Sequence, residues 1–144
     1  MKYSLISQKE IFSHPLIQKY RDTHQGENFI ALTTGDDFII FHENSEIIAA
    51  LSYTSDDPYI LVSEIKVREE FRHKGYGSKI MNLLFLITQK QKKDVRLRCQ
   101  NDARGFFTKL KFKPRNDREF EIKFEELDSL TIEIMHFHEI EIKK

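Results

Sequence analysis

The sequence predicts a mixed α/β domain of α+β character, with a mostly antiparallel central sheet and helices on both faces. Three observations point there. Strand-like runs follow one another between residues 29 and 67 with only short turns between them, which antiparallel neighbours allow and parallel ones do not. Ile80, Leu83, Leu84 and Ile87 then fall at i, i+3, i+4 and i+7, a helix long enough to cross between parallel strands at 59–67 and 94–100. A second such helix and two closing strands complete the order. The 144 residues, with 40% hydrophobic and 12% aromatic side chains, are expected to form a single domain over 1–144 around one sizeable core.

The elements follow in order. Ser7 and, three residues later, Glu10 read as a capping box opening an amphipathic stretch through Ile11, Phe12, Leu16, Ile17 and Tyr20. Pro15 breaks it, so one broken helix or two short ones are expected. Residues 29–32 and 38–41 are apolar runs around the turn Thr34-Gly35-Asp36-Asp37, and read as strands. Glu43-Asn44-Ser45 leads to a strand at 47–53, and Ser55-Asp56-Asp57-Pro58 to the long strand at 59–67. The clearest helix runs from Ser78 to Gln91. Residues 94–100 alternate Val95, Leu97 and Cys99 with Arg96, Arg98 and Gln100, a strand with one buried face. Asp102 can cap a helix carrying Ala103, Phe106, Phe107 and Leu110, ended by Phe112 and Pro114. Residues 120–124 and 130–142, around a turn at 126–129, are the closing strands.

Charge narrows the function. Lys plus Arg and Asp plus Glu both number 23, so the chain is formally neutral, and a protein gripping many phosphates of a nucleic acid would be overtly basic. No nucleic-acid partner is expected. The balance is uneven along the chain: −3 over residues 1–87, +8 over 88–118 and −5 over 119–144. A basic stretch between acidic ones suits a small anionic ligand or acidic partner, or is simply a solvated face. Cys99 is the only cysteine, which rules out an internal disulfide or cysteine-based zinc site and fits a reducing, cytoplasmic setting. The N-terminus turns polar before a signal-peptide core forms, and no run approaches a membrane span. The long C-terminal strand offers an edge on which a homodimer could pair.

The chemistry concentrates in Val67-Arg68-Glu69-Glu70-Phe71-Arg72-His73-Lys74-Gly75-Tyr76-Gly77-Ser78, between the long strand and the clearest helix. Two glycines one residue apart let the backbone turn tightly, and the helix that follows presents unpaired N–H groups, an anion cradle flanked by Arg72 and Lys74. A tight connection with no ligand is the other reading of the same glycines.

Arg72-x-x-Gly75-x-Gly77 after a strand ending in Val67 resembles the acetyl-CoA pyrophosphate loop of the GNAT superfamily, the GCN5-related N-acetyltransferases. Downstream, Asn101-x-Ala103-x-x-Phe106-Phe107-x-Lys109-Leu110-x-Phe112 resembles the same family's turn and helix beside the pantetheine arm. The resemblance spans roughly residues 45–115. It implies a sheet whose central parallel strands splay apart, and acetyl-CoA as cosubstrate with no metal. Main-chain N–H groups of His73, Lys74, Gly75, Tyr76, Gly77 and Ser78 would hold the pyrophosphate, supported by Arg72. Ile65, Lys66 and Val67 would pair with pantetheine like an added strand, with Asn101 and Phe106 beside it, and the basic excess at 88–118 would border the cofactor.

The implied reaction is attack of an amine, from a small molecule or from a protein or peptide, on the thioester in a ternary complex. It needs a base, an oxyanion donor and often an acid for the thiolate. Glu64 is the candidate base, directly or through water, although a carboxylate on a strand surface is an ordinary feature. Ser63 competes with it if a bulge changes the register. The N–H at Val67 is the candidate oxyanion donor. The sequence departs from the family at two positions: Phe107 stands where many relatives carry the acidic tyrosine, and Lys111 where a glycine is common. The acid then comes from elsewhere, Cys99 included, or solvent protonates the thiolate, or the domain is a non-catalytic acetyl-CoA-binding module. His136 and His138 share a strand face but lack an evident third metal ligand.

Overall fold

A computed structural model describes residues 1–24, 35–55, 58–98, 103–126 and 141–143, the last three by backbone alone. The expected strand at 29–32, Asp56 and Asp57, Cys99 to Asp102, and residues 127–140 with His136 and His138 lie outside these. The described elements are β1 (Lys2–Ser7), α1 (Pro15–Thr23), β2 (Asp37–Glu43), β3 (Glu46–Ser55), β4 (Tyr59–Val67), α2 (Tyr76–Thr88), β5 (Asp94–Arg98), α3 (Arg104–Lys109), β6 (Lys113–Pro114), β7 (Glu119–Ile122) and β8 (Glu141–Lys143). Their strands form one mixed sheet in the order β6-β7-β5-β4-β3-β2-β1-β8. The β4–β5 and β1–β8 pairs are parallel and the others antiparallel.

The N-terminus departs from the sequence expectation. Ser7 is the last residue of β1, paired with Asp37, rather than a helix cap, and Glu10 donates its N–H to the Ser7 carbonyl (3.0 Å) in a turn. The helix begins later, where Pro15 occupies its first turn and His14 caps it, Nδ1 accepting from the Leu16 N–H (3.2 Å). Pro15 starts the helix instead of breaking it, because its missing N–H is one that a first turn cannot pair anyway. β1 escaped prediction because its short alternation places Tyr3 on one side and Ser4 and Ile6 on the other only once β2 is beside it.

β2 and β3 are buried on both faces, which is why they read as nearly continuous apolar runs. Asn44 (φ 51°) and Ser45 (φ 66°) join them as a two-residue hairpin loop with both residues in the left-handed region, matching the twist of the strands. One face of the sheet packs Ile6, Phe38, Ile40, Ile47 and Ala50 against Ile11, Ile17 and Tyr20 of the α1 region. The other packs Ile39, Phe41, Leu51, Ile60 and Val62 against α2 and α3. Ala49 and Ala50 turn to opposite faces, and their small side chains leave room for a helix on each. In the second core Phe107 meets Phe112 edge-to-face at 5.8 Å, and Phe112 meets Phe85 at 5.9 Å, locking α3 onto α2.

After α3, Lys111 adopts φ 74° and the Phe112 N–H returns to the Phe107 carbonyl (3.1 Å). An L-residue there costs about 1–2 kcal/mol, against about 0.5–1 kcal/mol for the extra unfolded-state freedom of glycine. Lys111→Gly is therefore expected to raise stability by about 0.5 kcal/mol, read from the denaturant midpoint at unchanged slope. Burial, with a smaller contribution from the Asp37 charge, pushes the Tyr53 phenol from 10.0 to about 12. The folded state thus holds this proton more tightly than the unfolded one, so stability falls as pH rises from about 10 toward about 12. Tyr53→Phe should flatten that fall in alkaline denaturation curves.

Candidate functional site

The site forms where β4 parts from β5. Parallel pairing runs from Tyr59↔Asp94 to Val62↔Leu97, whereas β4 stays paired with β3 as far as Val67↔Ala49. Beyond Val62, β4 has β3 on one side and, among the described residues, no strand on the other, where a cleft opens. At the parting point the register slips: Tyr53 faces Val62 while Ser52 faces Glu64, leaving Ser63 as the extra residue of a β-bulge. Ile60 and Val62 before the bulge, and Ile65 and Val67 after it, all meet the α2–α3 core. Glu64 and Lys66, opposite Ser52 and Ala50, share the α1 face, and their charged ends lie 3.5 Å apart. The bulge that could have favoured Ser63 falls on Ser63 itself, which is exposed, while Glu64 keeps a cross-strand partner.

The main chain is equally ordered. The Arg68 N–H donates to the Ile48 carbonyl (2.9 Å), toward β3. Alternation along the strand turns Lys66 the same way and turns Ile65 and Val67 toward the cleft. The Val67 carbonyl is held there by Arg72 Nε (3.1 Å), leaving its N–H directed into the cleft. Of the three residues expected to pair with a pantetheine, Ile65 and Val67 present main-chain groups. Lys66, whose main chain turns to β3, is also among the residues lining the cavity.

The cleft opens into a cavity of about 820 Å³, with Ile65–Val67 on one side and the loop before α2 on another. Arg72, His73 and Gly75 to Ser78 line it, as does Phe106. Lys74 does not, and its ammonium sits 5.8 Å over the Phe71 ring instead. Gly75 caps α2 at φ 83°, and the helix begins at Tyr76, two residues before the expected start at Ser78. The helix has no side-chain cap and no acidic residue in its first turn, so its leading N–H groups keep their positive partial charge toward the cavity. A Cβ at Gly75 would meet nothing within 4 Å, so glycine serves the left-handed conformation and leaves the cradle open. Gly77 differs: a Cβ there would lie 3.1 Å from Phe106 Cζ, and its absence seats α3 against the start of α2.

Phe107 is buried against Phe106 (4.9 Å between centroids) and borders the cavity with a ring that carries no hydroxyl. Phe71 and Lys109 also line the cavity. Both stand in the stretches that carry the family resemblance, but neither is a motif position with an expected role, so the sequence alone did not assign them to the site. The basic excess at 88–118 borders this cavity only through Lys109. Arg96 bonds Glu121, Arg115 bonds Glu119 (2.8 Å) and Lys113 approaches Glu126 (3.3 Å), so acidic residues of and after β7 neutralise much of it. Burial alone would push the Glu121 carboxyl up, but hydrogen bonds from Lys123 and Arg96 outweigh it and hold the group below its ordinary value. Among the described residues no group of three His, Cys, Asp or Glu side chains is placed to hold a metal, and none of the helices is long and apolar enough to cross a membrane.

This geometry has counterparts. An acetyltransferase (GNAT) domain model matches residues 34–114. The crystal structure of Escherichia coli ElaA superposes with a TM-score of 0.63 at 17% identity, covering 84% of this chain and 97% of that one. Tetrahymena GCN5 gives 0.55 at 18% identity over 81% and 80% of the two chains, and AtaTR bound with acetyl-CoA gives 0.58 at 9% over 89% and 97%. No curated protein matches significantly by sequence.

The contact between Gly77 and Phe106 generates a measurable coupling. Gly77→Ala is expected to destabilise, because the methyl must displace the Phe106 ring, and Phe106→Leu in the same chain should recover part of the loss. A double-mutant cycle should return about 0.5–1 kcal/mol of interaction, and additivity would mean that the two elements do not press together there.

Proposed function

The chain belongs to the GNAT acetyltransferase family, and from that premise we propose that it moves an acetyl group from acetyl-CoA to a primary amine of a small molecule, protein or peptide. The observation carrying this reading is the N-terminus of α2, with no side-chain cap, facing the cavity beside the end of β4. Its fit to acetyl-CoA is specific in kind. Gly75 leaves open the space that a side chain would fill, the first-turn N–H groups suit a pyrophosphate, and Arg72, anchored through Nε, adds a cation. Ile65 and Val67 would hold the pantetheine arm by strand-like hydrogen bonds, with Phe106 packing beside it. The acetyl-CoA complex of AtaTR, on the same fold, supports this choice of cosubstrate.

In the proposed reaction Glu64 takes a proton from the acceptor ammonium, directly or through water. The freed nitrogen lone pair attacks the thioester carbonyl carbon, a C–N bond forms and the C–S bond breaks. The Val67 N–H, turned into the cleft, stabilises the negative charge that develops on the carbonyl oxygen. As the adduct collapses, its nitrogen releases a second proton to solvent, leaving the neutral amide, and the departing thiolate takes a proton from solvent, because the ring at position 107 has none to give. Glu64 stands on the α1 face and the cofactor loop on the α2 face, so acceptor and cosubstrate enter from opposite sides of the splayed strands.

Thiol release from acetyl-CoA against a panel of amines is expected with the purified protein, and Glu64→Gln should lower kcat by roughly 10²-fold or more with a smaller change in the KM for acetyl-CoA. Tight binding of acetyl-CoA with no turnover on any amine would instead mark a non-catalytic binding module. Gly75→Glu, which places bulk and negative charge in the cradle, is expected to weaken acetyl-CoA in calorimetry by more than about tenfold, or 1.4 kcal/mol. Unchanged affinity would move the pyrophosphate site elsewhere.

A further inference from the structure

We propose that Arg68 is a positioning residue that ties the loop before α2 to α1 and the β2–β3 hairpin, and so sets the affinity for acetyl-CoA without touching it. The inference rests on the reading of that loop as the acetyl-CoA cradle, and its own evidence is geometric.

Arg68 follows β4 and lies outside the cavity lining. Its side chain, only 11% exposed, is fastened to two segments distant in sequence and to its own loop. Nη1 donates to Glu46 Oε2 (2.8 Å) and the Ile47 carbonyl (3.3 Å) at the start of β3. Nη2 meets Glu70 Oε2 (2.7 Å) within the loop itself. The guanidinium carbon stands 5.7 Å over the Tyr20 ring of α1 and 6.0 Å over the Phe71 ring of the loop. His24 stacks on Tyr20 with centroids 4.5 Å apart and approaches Glu46 at 3.6 Å, closing the cluster from the end of α1.

The cluster touches the cradle through two short paths. Phe71 meets Tyr76, the first residue of α2, edge-to-face at 6.3 Å, and the Phe71 N–H donates to the Arg68 carbonyl (2.8 Å), closing the turn that leads to Arg72. The loop otherwise passes from the end of β4 to α2 with exposed Glu69 and Glu70 and no buried side chain in its turn. Arg68 supplies what that stretch lacks, a buried anchor. A planar fork can hold Glu46 and Glu70 together while stacking between two rings, and an ammonium cannot. The hydrogen bond from Arg68 holds the Glu46 carboxyl below its ordinary value, against the opposing effect of burial.

The experiment compares wild type with Arg68→Met, Arg68→Lys and Glu46→Gln. Amide hydrogen exchange of residues 73–79 is read without ligand, and acetyl-CoA binding by calorimetry. Arg68→Met is expected to speed exchange in that segment, leave the β2–β3 core amides protected, and weaken acetyl-CoA by about tenfold, with Arg68→Lys and Glu46→Gln between it and wild type. Turnover should show a raised KM for acetyl-CoA with kcat changed much less. If Arg68→Met does not fold, Glu46→Gln, which keeps the side-chain shape and removes one charge, carries the same comparison. Wild-type exchange rates in residues 73–79 of the variants would overturn the tie. Faster exchange with wild-type acetyl-CoA affinity would overturn its effect on binding, whereas failure of the wild type to bind acetyl-CoA would overturn the cradle reading alone.

Discussion

The site depends on a single constraint, that β4 keeps β3 beside it to Val67 while its parallel pairs with β5 end at Val62. A strand so placed has an edge that, among the described residues, no second strand covers, and buried main-chain groups on such an edge demand partners. The bulge at Ser63 accompanies the parting and changes which side chains look where. Without the extra residue, Glu64 and Lys66 would share the face of Ile60 and Val62, placing two charges in the α2–α3 core, and Ile65 and Val67 would lose it. With it, one strand serves an apolar core, a charged α1 face and an open edge.

The helix start completes that arrangement by leaving itself unfinished. α1 uses His14 to satisfy its first turn, whereas α2 begins on Gly75 and has no side chain to do so. Such an end is costly when buried and useful when an anion completes it. Gly77 lets Phe106 close the other wall, so the two glycines of the motif act differently, one through conformation and openness and the other through a close approach.

Much of this was legible because local signals agreed with tertiary ones. The bounds of β4, the apolar face of α2 and the glycine loop were readable since period, turn chemistry and motif all pointed the same way. The N-terminus was not, because Ser7 and Glu10 at capping-box spacing, followed by apolar residues, is a local pattern that six cross-strand pairs with β2 outweigh. Charge misled in a similar way. The excess at 88–118 is real, but β7 lies next to β5 in the sheet and carries the opposite sign, so Arg96 and Arg115 are spent on Glu121 and Glu119. Apolar residues at 60, 62, 65 and 67 do record the bulge in the sequence, though Leu61 masks the break in alternation.

Phe107 shows how far the two landmarks are separable. Its ring packs edge-to-face on both Phe106 and Phe112, and Phe112 in turn packs on Phe85 of α2, so the position is a structural joint between helices before it is anything else. Phe107 also lines the cavity, so its apolar ring forms part of the cleft wall. The substitution thus favours the wall of the cleft over an acid in it. The proton balance of the proposed reaction then rests on Glu64 and solvent, and the discriminating chemistry moves to the α1 face, where the acceptor would meet a carboxylate already paired with Lys66. In the proposed reaction an acceptor ammonium approaching there would compete with the Lys66 side chain for Glu64, so displacing that lysine would be part of binding the amine.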